Sequence, residues 1–106
     1  MPTPEITVQT LSALLKDKAD IFLLDVRNPN EYAFCNLGGH LIPLMELPTR
    51  LHELDPEKNI IVYCHAGGRS MRATQFLLQQ GFKNVSNLRG GITAWANEID
   101  PKMPTY

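Results

Sequence analysis

Asn59-Ile60-Ile61-Val62-Tyr63-Cys64-His65-Ala66-Gly67-Gly68-Arg69-Ser70 is the stretch on which the fold of this chain turns. Ile60 to Tyr63 run apolar without alternation, which predicts a strand covered on both faces, as in a parallel sheet. Gly67 and Gly68 then predict a tight turn. From Arg69 to Gln80 the apolar positions Ala73, Phe76 and Leu77 recur at helical spacing, and Gly81 is placed to cap the C-terminus. A buried strand, a glycine turn and a helix in that order are the building step of an α/β sandwich.

Outward from this stretch the same alternation continues. Ile21-Phe22-Leu23-Leu24-Asp25-Val26 predicts a second buried strand, and Asn84-Val85-Ser86-Asn87-Leu88 a weaker third. Thr10 to Lys18 predicts a helix with Leu11, Leu14 and Leu15 on one stripe. Pro29 suits the first turn of a short helix running through Tyr32 and Phe34, with Asn28 as its cap. Glu46 to Leu54 predicts another helix, turning Leu47, Leu51 and Leu54 inward and stopping before Asp55-Pro56. Gly90 and Gly91 predict a turn, and Trp95 a packed core or rim residue. The expected architecture is a three-layer α/β sandwich with a mainly parallel sheet of four or five strands flanked by helices, and residues 1–106 form one domain.

Composition agrees with that size. A chain of 106 residues with 43% hydrophobic residues can bury a core without staples. Ten basic and eleven acidic residues leave a net charge of −1, which offers no broad attraction for nucleic acid or an anionic membrane. The opening Met1-Pro2-Thr3-Pro4-Glu5 lacks a basic segment followed by an apolar one, and the apolar runs are too short to cross a bilayer, so a soluble, cytoplasmic protein is expected. Cys35 and Cys64 are too few for a disulfide framework and lack the clustering of a structural zinc site, so both are expected as thiols.

Cys64 closes the buried strand, where open α/β sheets place their ligands. Gly67 and Gly68 allow successive N–H groups to turn toward one point above the sulfur, forming an anion cradle. The dipole of the following helix and the Arg69 charge act in the same sense. All of these favour thiolate over thiol, and make Cys64 the candidate nucleophile. Arg72, one turn further on, reads at least as readily as a surface residue as an addition to the positive field, and His65 reads more readily as a solvent-facing loop residue than as a site residue.

Three motifs in order resemble the rhodanese family. The Cys64-to-Arg69 loop resembles its Cys-x-x-x-x-Arg active-site loop. Leu24-Asp25-Val26-Arg27-Asn28-Pro29-Asn30-Glu31-Tyr32 is similar to its Asp-Val-Arg-x-x-x-Glu-Tyr segment, and Leu88-Arg89-Gly90-Gly91-Ile92-Thr93-Ala94-Trp95 to its Leu-x-Gly-Gly-x-x-x-Trp segment. Where many members carry Gly-His-Ile-Pro-Gly-Ala, this chain has Cys35-Asn36-Leu37-Gly38-Gly39-His40-Leu41-Ile42-Pro43. That variant, with the ending Trp95 to Pro101, Pro104 and Tyr106, resembles the rhodanese domain fused behind adenylyltransferases of the MoeB/ThiF type, although no adenylation domain is present.

The resemblance implies a sulfurtransferase that takes a sulfane sulfur onto Cys64 as a persulfide and passes it to a nucleophilic acceptor, with no metal or organic cofactor needed. It implies that the backbone of His65, Ala66, Gly67, Gly68, Arg69 and Ser70 holds the persulfide and that Arg69 positions a small anionic donor such as thiosulfate. A cysteine desulfurase is a rival donor, and a sulfur-carrier protein a possible acceptor. Asp25 reads mainly as a structural acceptor and Arg27 as pairing with Glu31, with a supporting role at the site open for both. Cys35 reads as a packing residue. Two alternatives stand beside this. A Cys-based phosphatase or arsenate reductase is disfavoured because related phosphatases use Cys-x5-Arg, and position six after Cys64 is Ser70. A non-catalytic interaction module is disfavoured because inactive relatives generally lose the cysteine.

Overall fold

The computed structural model describes residues 3–106. Its strands are β1 (Glu5–Ile6), β2 (Phe22–Asp25), β3 (His40–Leu41), β4 (Asn59–Tyr63) and β5 (Asn84–Leu88), and its helices α1 (Val8–Lys16), α2 (Pro29–Phe34), α3 (Gly68–Gln79) and α4 (Gly91–Glu98). The five strands make one sheet in the order β1-β5-β4-β2-β3, and every pairing is parallel. β4 lies at the centre between β5 and β2, which is why Ile60, Ile61, Val62 and Tyr63 are all buried. The α/β sandwich with a parallel five-stranded sheet is as the sequence predicts.

Side-chain alternation along the strands divides the core in two. Leu24, Val26, Ile60, Val62 and Val85 pack on one face against Ala73 and Leu77 of α3. Ile61, Tyr63 and Leu88 pack on the other against Val8 and Leu11 of α1 and Ile92 of α4. Each buried aliphatic side chain contributes about 1.5–3 kcal/mol, so the sheet is clamped from both sides and its C-terminal edge is rigid.

Several boundaries differ from the sequence reading, each for a local reason. α1 starts at Val8 because Thr7 Oγ1 accepts the Thr10 N–H at 3.1 Å and so caps it. The span expected as one helix from Glu46 to Leu54 is two 3-10 turns, Leu44–Thr49 and Leu51–Glu53. Pro48 lies inside the first, and proline has no N–H to give to an α-helical ladder. Leu47 and Leu54 are nonetheless buried, and Leu51 packs against them. Trp95 packs against the second core cluster as expected, but on a helix, α4, that begins directly at the glycine turn. Gly81, with φ of +92°, follows α3 and terminates it.

Candidate functional site

β4 ends at Tyr63, so Cys64 is the first residue beyond the central strand, and it is 1% exposed. Three donors converge on its sulfur. The Gly67 N–H lies 3.1 Å from Sγ, the Ser70 N–H 3.4 Å, and the Ser70 hydroxyl 3.2 Å. Gly67 reaches this position with φ of +112°, in the left-handed region that favours glycine. Its N–H and that of Ser70 belong to the first turn of α3, where N–H groups have no partner within the helix. The sulfur supplies that partner, and the helix dipole favours negative charge there.

The loop is held from behind. The Ile92 and Thr93 N–H groups, in the first turn of α4, donate to the backbone carbonyls of Cys64 and His65 at 2.9 and 3.0 Å. Gly91 makes this approach possible: a Cβ there would stand 2.5 Å from the Cys64 oxygen and 2.6 Å from that of His65. Two helices therefore fix the six-residue loop, one through its sulfur and one through its carbonyls.

Arg69 and Arg27 are both engaged. Arg69 makes a two-pronged contact with Glu31, Nη1 to Oε1 at 2.7 Å and Nη2 to Oε2 at 2.8 Å. The Arg69 guanidinium, together with the Tyr106 hydroxyl and the Asn28 N–H, outweighs burial and holds the Glu31 carboxyl down at about 2. Arg27 does not pair with the Glu31 carboxylate as the i, i+4 spacing suggests. Its Nε and Nη2 bind Asp25, itself fully buried, and its remaining donors reach the carbonyls of Cys35 and Glu31 and the Tyr106 hydroxyl. Burial opposes the Arg27 charge, and the bonds to Asp25 and Tyr106 outweigh it, so the guanidinium stays protonated. Every Arg27 donor is thus spent on the fold. Asp25 is the structural acceptor expected, taking the Arg27 backbone N–H at 2.9 Å as well.

Of the remaining sequence candidates, His65 and Gly67 are half-buried, Ala66 and Gly68 are exposed, and Ser70 is fully buried. His65 stacks on Tyr106 with ring centroids 4.1 Å apart. Arg72 is exposed and forms no ion pair among the described residues. Cys35 belongs to the core on the face of the sheet opposite Cys64, so the two thiols are not partners.

Sequence reasoning missed three contributors. Tyr106 bridges Glu31 and Arg27 through its hydroxyl, at 2.6 and 3.1 Å. Asn87, 1% exposed, accepts the Ser70 hydroxyl at Oδ1. Glu5 in turn accepts from Asn87 Nδ2 at 3.0 Å. The signal for Asn87 was present: a polar residue two positions after Val85 on a strand belongs to the same inward face.

Fold and loop define an α/β domain with a cysteine-bearing turn at the C-terminal edge of a parallel sheet. The chain belongs to the rhodanese-like domain family, whose model matches residues 7–98. It is 41% identical over 93 residues to a sulfurtransferase of Allochromatium vinosum, covering 87% of each chain. It is 35% identical over 118 residues to the adenylyltransferase and sulfurtransferase MOCS3 of Arabidopsis thaliana, covering 95% of this chain and 25% of that one, in line with the branch the motifs resemble. Among solved structures, the rhodanese-related protein of Thermoplasma volcanium superposes with a TM-score of 0.81 at 33% identity, covering 91% of this chain and 93% of that one. The chain spans only 23–38% of the length of the longer curated relatives it matches.

Proposed function

We propose that this chain is a cytoplasmic sulfurtransferase that carries a sulfane sulfur on Cys64. The observation that carries the reading is the convergence of the Gly67 N–H, the Ser70 N–H and the Ser70 hydroxyl on Sγ at the N-terminus of α3. Fixed donors around a sulfur stabilise it as an anion, the state in which it attacks. The relatives named sulfurtransferase support the same chemistry.

In the first step the Cys64 thiolate attacks the outer sulfur of the donor. A new S–S bond forms, the donor's own bond to that sulfur breaks, and the leaving group departs with the electron pair, as sulfite when the donor is thiosulfate. The terminal sulfur of the persulfide then holds the negative charge, and the backbone of the loop His65 to Ser70 is proposed to hold it, with the Gly67 and Ser70 N–H groups already directed at Sγ. In the second step an acceptor nucleophile attacks that terminal sulfur and Cys64 leaves as thiolate, so each cycle returns the starting state. The Gly67 and Ser70 N–H groups, fixed at the start of α3, already face Sγ and need not reorganise when Cys64 attacks or leaves as thiolate.

The donor is proposed to be small and anionic, or a persulfide presented by a cysteine desulfurase; the acceptor is cyanide in vitro, and a thiol or sulfur-carrier protein in the cell. With Arg69 neutralised by Glu31 and Arg27 by Asp25, attraction for an anion rests on the backbone cradle and on exposed Arg72. The deep position of Cys64 favours donors whose reacting sulfur stands at the end of a narrow group.

The test is thiocyanate production from thiosulfate and cyanide by the parent protein and by Cys64→Ser, with an aryl phosphate as the competing substrate. Thiocyanate that depends on Cys64 supports the reading. Cys64-dependent phosphate release without thiocyanate replaces it with the phosphatase alternative, and no turnover of either leaves an interaction module.

A further inference from the structure

The Ser70 hydroxyl has one proton and two acceptors within reach. Cys64 Sγ lies 3.2 Å away and Asn87 Oδ1 2.5 Å. The orientation of the Asn87 amide is fixed from its other end, because Glu5 Oε2 at 3.0 Å accepts from the amide nitrogen and a carboxylate has no proton to offer. Oδ1 must therefore face Ser70. Ser70 and Asn87 are both closed to solvent, so no water competes for the proton. A hydroxyl donates to one acceptor at a time.

We propose that Asn87, anchored by Glu5, is a positioning residue that sets the direction in which Ser70 donates at each stage of sulfur transfer. When Cys64 is a thiol or carries a persulfide, its Sγ bears no charge and is a weak acceptor, and the Ser70 proton lies on Asn87 Oδ1. When Cys64 is a thiolate, the charged sulfur is the stronger acceptor, and the hydroxyl turns to it at the expense of the bond to Asn87. Asn87 thereby opposes the bare thiolate and favours the sulfur-loaded form. This deepens the proposed function and rests on it where the persulfide is concerned; the effect on the unloaded thiol does not.

Apart from Arg72, which is exposed and forms no ion pair among the described residues, the charged groups near the sulfur are fixed in pairs, Arg69 with Glu31 on α3 and α2, and Arg27 with Asp25 beyond β2, while Glu5 also lies 3.4 Å from Arg89. His65 contacts Tyr106, and Tyr106 reaches the sulfur only through these pairs. None of them touches the Ser70 hydroxyl, so changes at Asn87 act on Cys64 through Ser70 alone.

The experiment is the pH profile of Cys64 alkylation by iodoacetamide in the parent protein, Asn87→Ala, Ser70→Ala and the double variant. With its competing acceptor removed, Ser70 serves the thiolate, and Asn87→Ala is expected to react up to about tenfold faster on the acid limb. Ser70→Ala is expected to react more slowly there, and the double variant to match Ser70→Ala. A purely structural role for Asn87 would leave the profile in place or give effects that add. An unchanged or alkaline-shifted profile in Asn87→Ala, or additivity in the double variant, overturns the proposal. If Asn87→Ala does not fold, Glu5→Ala at the sheet edge frees the amide to rotate; it is expected to shift the profile in the same direction by a smaller amount, and no shift overturns the proposal. Sulfur loading from thiosulfate is read in parallel by intact mass: loading without the alkylation pattern refutes the positioning role alone, and the pattern without loading refutes the sulfurtransferase reading alone.

Discussion

Replacing Gly91 by alanine should unhook the active loop from the helix behind it. Gly91 adopts φ of +60°, and left-handed backbone costs a non-glycine residue about 1–2 kcal/mol. Its added Cβ would meet the Cys64 and His65 carbonyl oxygens at 2.5 and 2.6 Å. Both atoms are backbone, so neither can swing aside, and relief requires the β5–α4 turn to retreat from the loop. That retreat stretches the Ile92 and Thr93 hydrogen bonds to those same oxygens, each worth about 1 kcal/mol. The expected loss is about 3–4 kcal/mol, a large share of the 5–15 kcal/mol typical of a domain. Gly81→Ala is the matched control, since its φ of +92° is also left-handed but a Cβ there meets nothing within 4 Å; only the backbone cost of about 1–2 kcal/mol applies. Urea unfolding measures both, and the rate of Cys64 alkylation reports the loop. Equal losses in the two variants, or a normal alkylation rate in Gly91→Ala with its stability reduced, would refute the claim that α4 positions the loop.

Other consequences follow from the ion pairs and the second thiol. Glu31 is held at about 2, below its unfolded value, so its contribution to stability is complete above the unfolded value and disappears as pH falls through 4.5 toward 2. Glu31→Gln should cost about 2 kcal/mol at pH 7, after allowance for the one-third exposure of Arg69, and the gap to the parent in urea midpoint should narrow to about half near pH 3 and close only toward pH 2. Asp25→Ala strands the Arg27 charge in a site closed to solvent and should cost about 3–5 kcal/mol in the same assay. Cys35→Ser should leave sulfur transfer within twofold of the parent, because Cys35 packs on the opposite face of the sheet; a large loss of thiocyanate formation would contradict that placement.

What could be read from sequence was what is encoded locally. β2 and β4 show themselves as unbroken apolar runs, α3 as a helical stripe, and the site's centre as a cysteine followed by two glycines. β1 and β3, two residues each, are too short to carry a period, and only their sheet partners define them. The 3-10 turns after β3 have inward leucines at nearly helical spacing, and Pro48 was the residue that decided against an α-helix. α4 was obscured because the glycine pair that reads as a turn is also the helix start. At the site, Cys64 and its N–H donors are neighbours in sequence, whereas the partners of Arg69 and Asn87 lie 38 and 82 residues away. For Arg27 the carboxylate at i+4, Glu31, lost to Asp25 two residues back, because α2 begins only at Pro29 and Arg27 lies outside it, so helical spacing does not relate Arg27 to Glu31.

The most direct test of sulfur carriage is the intact mass of the protein after incubation with thiosulfate and removal of the excess. The account predicts a gain of one sulfur atom, absent in Cys64→Ser, retained in Cys35→Ser and reversed by cyanide with release of thiocyanate. A protein whose mass does not change, or a gain that persists in Cys64→Ser, would contradict it.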